Sequence, residues 1–295
     1  DDSNKRWYAA SPDGRRIAIL LTSNAGTDLY IVDRDAPGVV NLTRTPDQWD
    51  GVPSWSPDGT KVAYDAPGTS GGWDVWLANA DGSNPTNLTP AEDGAMDGGA
   101  RWSPDGSRLA FISTRDGDAD LWVMDADGSN PANLTSSAGC AEKWPDWSPD
   151  GTRIAFSRCA TTGEPDVFTI APDGSDLRLL SAHGASHWTW RDDDHVLIWG
   201  EGAYRLYRDD GAGEPIETVW EHPNGHQTYL PGTNNEWFLT DTYARHVERG
   251  QELCLYHIPS GKKIQLAAFH PPEDYRGEWR CDLHPRLNRA ATHAV

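Results

Sequence analysis

Short apolar stretches, each led by a basic residue and alternating large with small side chains, recur along the first two thirds of the chain: Arg16-Ile17-Ala18-Ile19, Lys61-Val62-Ala63-Tyr64, Arg108-Leu109-Ala110-Phe111 and Arg153-Ile154-Ala155-Phe156. A period of two is the mark of a strand with two unlike faces. Each stretch follows a Ser-Pro-Asp-Gly turn, beginning at Ser11, Ser56, Ser103 and Ser148, and the last three turns are preceded by Trp55, Trp102 and Trp147. A further strand comes next in each unit: Asp28-Leu29-Tyr30-Ile31, Asp74-Val75-Trp76-Leu77, Asp120-Leu121-Trp122-Val123 and Asp166-Val167-Phe168-Thr169. Asp-Gly-Ser turns at Asp81, Asp127 and Asp173 lead to a last strand, which ends in Asn-Leu-Thr in the first three units. Two turn signatures per repeat predict a four-stranded antiparallel meander.

One such sheet cannot bury both of its faces, whereas a ring of them can. The predicted fold is therefore all-β, a β-propeller of four-stranded antiparallel blades. The later units keep the rhythm and lose the consensus. His187-Trp188-Thr189-Trp190 opens a fifth, His226-Gln227-Thr228-Tyr229-Leu230 a sixth, and Arg280-Cys281-Asp282-Leu283-His284-Pro285 a seventh. Blades are expected at about 7–43, 52–89, 99–135, 144–181, 187–220 and 226–268, with a partial one at 280–295, all in a single domain. This is a seven-bladed type with the seventh blade incomplete, which suggests a chain cut short. The opening Asp1-Asp2-Ser3 without a Met is consistent with a removed leader or a fragment.

Composition agrees with this reading: 15 Trp and 29 Gly accompany only two Met, giving aromatic packing between sheets and tight turns between strands. A formal charge of −20 disfavours nucleic acid and acidic membrane surfaces as partners. No apolar run is long enough to span a bilayer, and cytoplasmic and periplasmic or secreted locations both stay open, as does the oligomeric state. Cys140 and Cys159 flank the first two strands of the fourth unit and are a candidate disulfide, while Cys254 and Cys281 read as core or channel-wall thiols.

Aligning the units on their turns places Trp7, Val52, Gly99, Trp144, His187, His226 and Arg280 in one column of the innermost strand. Two residues on lie Ala9, Ser54, Arg101, Asp146, Thr189, Thr228 and Asp282. Ionisable groups gather in units five to seven, with His284 close behind. A single inner-strand His often only hydrogen-bonds a neighbouring blade. Several together with Asp282 point to a site.

Residues 7–181 resemble the TolB-like, WD40-related propellers. A second resemblance rests on three runs. They are His222-Pro223-Asn224-Gly225-His226-Gln227-Thr228-Tyr229, then Asn235 to Phe238 with Thr240-Asp241-Thr242-Tyr243, and finally Gly277-Glu278-Trp279-Arg280-Cys281-Asp282-Leu283-His284-Pro285-Arg286. Over about 183–295 these resemble the oligogalacturonate lyases, seven-bladed propellers that cleave oligouronides by β-elimination. That resemblance implies a divalent metal held by His226 and His284, with Asp282 standing where the family has a second blade-seven His. It implies His187 as the catalytic base and Arg158 as the nearest counterpart of the catalytic Arg. Arg280, Arg286, Tyr229 and Trp188 are candidate substrate contacts, and the implied partner is an acidic oligosaccharide.

These residue types suit the reaction. Removing the proton α to a uronate carboxylate builds negative charge that a cation or an Arg stabilises, and an imidazole titrates in the right range to take the proton. Two imidazoles and a carboxylate favour Mn²⁺, with Ca²⁺ second because it prefers oxygen. A non-catalytic scaffold for protein or ligand binding is the competing reading. A sugar hydrolase would want two facing carboxylates, and only Asp146 and Asp282 stand in the aligned columns. The sequons at Asn41, Asn87 and Asn133 recur at one position of the repeat and read as structural, as do the Asp-rich turns.

Overall fold

A computed structural model describes residues 8–22, 26–45, 48–90, 94–159, 165–182, 185–222, 225–242 and 251–269. Their strands form six four-stranded antiparallel sheets, each ordered as a meander, spanning 8–41, 51–87, 97–133, 142–181, 185–221 and 227–269. These are propeller blades, and their bounds fall within a few residues of those the repeat predicts. The partial seventh blade expected at 280–295 lies outside the described residues. Contacts divide the chain after Leu179 into two compact units, taken in turn below.

In the unit that ends at Leu179, the repeat residues explain themselves. Ser56 Oγ donates to Asp58 Oδ1 at 2.6 Å, which also accepts the Thr60 amide, so the Ser-Pro-Asp-Gly turn is closed by its own side chains. The same bonds recur at Ser103 and Ser148. Each Trp that precedes such a turn reaches back one blade. The indole nitrogens of Trp55, Trp102 and Trp147 donate to the carbonyls of Ala9, Ser54 and Arg101, at 2.9, 3.2 and 3.0 Å. Those three acceptors belong to the second aligned column, so the register inferred from the turns is the register of the contact. Apolar clusters fill the space behind the indoles: Trp147, for example, packs with Ala110, Leu121, Ile154, Phe156 and Ile170.

The sequon asparagines have structural work. Asn41, Asn87 and Asn133 donate to Asp28, Asp74 and Asp120 at the start of the third strand, at 2.9, 2.6 and 2.9 Å. The threonines two residues on bond the amides of Leu29, Val75 and Leu121. In the Asp-Gly-Ser turns the aspartates accept the Ser amide and hydroxyl, with Gly82 and Asn84, or Gly128 and Asn130, at positive φ. Hairpin geometry accounts for these residues.

A feature the aligned columns leave out is a row of buried acids two residues ahead of the first column: Asp50, Asp97 and Glu142. Asp97 takes an ion pair from Arg115 at 2.7 Å, and Arg115 in turn lies over Phe111 and Trp122. Glu142 takes Arg158, the Leu121 amide and the hydroxyls of Thr135 and Ser137. Burial raises Asp50 to about 6 against the hydrogen bonds of Thr43 and Thr45.

Asp65 is strongly displaced. Its two oxygens accept the Gly99 amide at 3.0 and 3.1 Å, yet desolvation raises it to about 7, helped by Asp97 and opposed by Gly99 and Arg101. A folded-state value above the unfolded one means that the fold holds the proton more tightly than the open chain does. Stability from this group is therefore greatest in acid and falls as pH rises from about 4, the unfolded carboxylate value, to about 7. Asp65→Asn keeps an acceptor for Gly99 and removes the charge. It is expected to match the parent in urea unfolding at the acid end of that window and to exceed it by a few kcal/mol above neutrality. A constant gap across the window would exclude this origin.

The unit that begins at Leu180 holds blades five and six. Their contact is aromatic: Trp220 stacks on Tyr256 at 4.2 Å and lies 3.7 Å from the His222 ring, with Tyr204 and Phe238 beside them. Gln227 in the first strand of blade six donates to the carbonyls of His187 and Leu197 in blade five, at 3.1 and 3.3 Å.

Candidate active site

The two inner strands that carry His187 and His226, Ala185–Trp190 and Gln227–Tyr229 with the residue just before it, run side by side in this second unit. The two imidazole rings meet edge to face with centroids 4.3 Å apart. His187 is half-buried and His226 is 7% exposed. Two histidines that the aligned column places at one level are thus in contact.

His226 is fixed by a residue absent from the predicted ligand set. Asp241, the last residue of the Trp237–Asp241 strand, is fully buried. Its Oδ1 accepts the His226 main-chain amide at 2.6 Å, and its two oxygens lie 3.2 and 3.1 Å from His226 Nδ1. Strand pairing accounts for the contact: Gln227 pairs with Thr240 across the two strands, so the residue before one faces the residue after the other.

The other predicted residues divide. Tyr229 is 9% exposed, its ring packs near Phe238, and its hydroxyl finds no hydrogen-bond partner, so it belongs to the interior of blade six and not to a substrate-facing surface. Burial pushes its phenol well above the ordinary value. Trp188 is half-buried like His187 and points to the opposite side of its strand from it. Arg158 belongs to the first unit, where its Nε binds Glu142 at 2.9 Å and its guanidinium lies over Phe156 and Phe168. Cys140 and Cys159 do approach each other there and are free thiols: Cys140 Sγ is 3.5 Å from the Cys159 carbonyl, and a thiol–thiol hydrogen bond raises its pKa. Cys254 is buried, as expected of a core thiol, and desolvation takes it to about 11. Arg280, Cys281, Asp282, His284 and Arg286 lie outside the described residues.

The donor chemistry that is described fits a metal site in one respect. A histidine that gives its Nδ1 proton to a buried carboxylate and keeps Nε2 for a cation is the usual arrangement of a metal-bound imidazole. No group of three or more His, Cys, Asp or Glu side chains able to hold a metal ion occurs among the described residues, two of the proposed ligands being outside them. No helix of the described residues is long and apolar enough to cross a membrane.

Comparison with known proteins agrees with this class, a β-propeller of four-stranded antiparallel blades. The family described as the TolB beta propeller domain matches residues 91–205. Among solved structures, oligogalacturonate lyase from Vibrio parahaemolyticus superposes with a TM-score of 0.75 at 13% identity, over 99% of this chain and 84% of that one. TolB from Acinetobacter baumannii gives 0.58 at 18% identity, over 86% of this chain and 64% of its own length. Prolyl oligopeptidase B from Galerina marginata gives 0.65 at 13%, and the chain spans only 41% of it. These likenesses establish the fold. No curated protein matches the sequence.

Proposed function

We propose that the chain is a lyase that cleaves uronic-acid-containing oligosaccharides by metal-assisted β-elimination. The observation that carries this reading is the His187–His226 contact, with His226 held by a buried carboxylate. In this reading His187 is the base. Being half-buried, it can meet a substrate and still be partly screened from water, and its imidazole takes the proton α to the uronate carboxylate. His226 is a metal ligand through Nε2, together with Asp282 and His284. These residues would hold a divalent cation, whose charge would stabilise the substrate carboxylate as it becomes enolate-like. The likeness to oligogalacturonate lyase across nearly the whole chain supports the choice of substrate class.

The test is direct. Incubation with oligogalacturonates and Mn²⁺ is expected to produce the ultraviolet absorbance of an unsaturated uronide, and chelation is expected to suppress it. A second reading, a TolB-like binding scaffold, draws support from the family match at 91–205. Folded protein that gives no absorbance with any uronide of a broad panel would favour the scaffold.

A further inference from the structure

We propose that Asp241 is the positioning residue of this site: it holds His226 as the tautomer protonated on Nδ1 and thereby commits Nε2 to ligation. The role of Nε2 rests on the lyase reading above, whereas the tautomer does not. Where Asp241 is ionised it offers only acceptors, and two oxygens at 3.1 and 3.2 Å from Nδ1 then put the proton on that nitrogen. In a neutral ring the lone pair is then on Nε2. The same Oδ1 also takes the His226 amide at 2.6 Å, so one carboxylate fixes both the backbone and the ring of this residue.

The surrounding chain is shaped around this contact. A Cβ added to Gly225 would fall 1.9 Å from the Asp241 carbonyl oxygen and 3.0 Å from its Oδ1, so a side chain there would force the two strands apart. On the far side, the Tyr204 hydroxyl of blade five bonds the Gly225 carbonyl at 3.2 Å and shares a 2.8 Å hydrogen bond with Thr240. The Thr240 hydroxyl also lies 3.1 Å from the Asp241 carbonyl, so the two hydroxyl protons are shared among these three contacts. Blade five therefore braces the strand end that presents the carboxylate. A buried acid wanted only as an acceptor for a main-chain amide would be served equally by a neutral amide. The distinction between acid and amide at 241 thus separates a positioning role from a purely structural one.

The experiment is Asp241→Asn. Its amide oxygen can still accept the His226 N–H, which turns the amide NH₂ toward Nδ1. A donor facing Nδ1 favours the opposite tautomer, with the proton on Nε2. Long-range proton–nitrogen correlation spectra of protein labelled in histidine, recorded where the ring is neutral and assigned by loss of the signal in His226→Gln, read this directly. The parent is expected to show Nδ1–H at position 226 and Asp241→Asn to show Nε2–H. Titration with Mn²⁺ alone is expected to give a 10- to 100-fold weaker affinity in the variant. A parent protein protonated on Nε2 overturns the proposal, whether or not the variant folds. So does a folded variant whose tautomer and Mn²⁺ affinity are both unchanged. Tautomers that invert as described in a protein inactive on every uronide would leave Asp241 in its role and remove the lyase reading instead.

Discussion

Alanine at position 187 is expected to lower uronide cleavage by at least about a hundredfold, because a positioned general base contributes roughly 10²- to 10⁴-fold. The fold should survive. Gln227 is anchored to the main-chain carbonyl of His187, which alanine retains, and the strand pairing of His187 with Trp199 is also made by backbone. What disappears is the ring that meets His226 at 4.3 Å. The measurement is the rate of absorbance gain at saturating substrate, alongside the thermal unfolding midpoint. A variant with the parent's rate and midpoint would exclude His187 from proton transfer. A variant that loses rate while retaining Mn²⁺ affinity would place His187 at the substrate, as a base should be, and not among the ligands.

The second large effect concerns stability. Trp147→Ala is expected to cost about 3–5 kcal/mol, the range for deleting a large aromatic from a core. The side chain is 7% exposed and packs among Ala110, Leu121, Ile154, Phe156 and Ile170. Its indole nitrogen is bonded to the Arg101 carbonyl of the preceding blade. Trp147→Phe separates the two contributions. It keeps most of the apolar volume and loses the hydrogen bond, so about 1–2 kcal/mol is expected. Urea unfolding of both variants measures the difference. Equal losses would mean that the hydrogen bond, and not the packing, dominates the joint.

The blades were legible because each repeat carries its own turn chemistry. Ser56 with Asp58, and Asp81 with Ser83, close their turns locally, and local bonds leave local signatures in sequence. The inter-blade indoles were legible as a recurring Trp, although their acceptors are backbone carbonyls that leave no signature of their own. The candidate site was legible only in part. His187 and His226 stand out as exceptions in an otherwise bland column, and the structure brings them together. Asp241 does not stand out, because its partner is 15 residues away on the adjoining strand and its importance comes from cross-strand pairing. Tyr229 is the converse case, a residue that stands in the repeat and is buried by its neighbours. Strand alternation gives which residues share a side, but not which side a neighbouring sheet will cover. The acids at 50, 97 and 142 escaped for a third reason: they stand at or just before the first residue of their strands, ahead of the positions that the turns bring into line.

The indole-to-carbonyl joints have a polarity. In every one the donor is downstream in the chain and the acceptor upstream. Deleting a downstream blade removes the indole along with the joint and uncovers a carbonyl that water can satisfy, whereas deleting an upstream blade leaves the indole in place and bares to solvent an apolar ring that is only 7% exposed at Trp55 and Trp147. Tolerance to shortening in the first unit is accordingly vectorial, greater from its C-terminal end than from its N-terminal one.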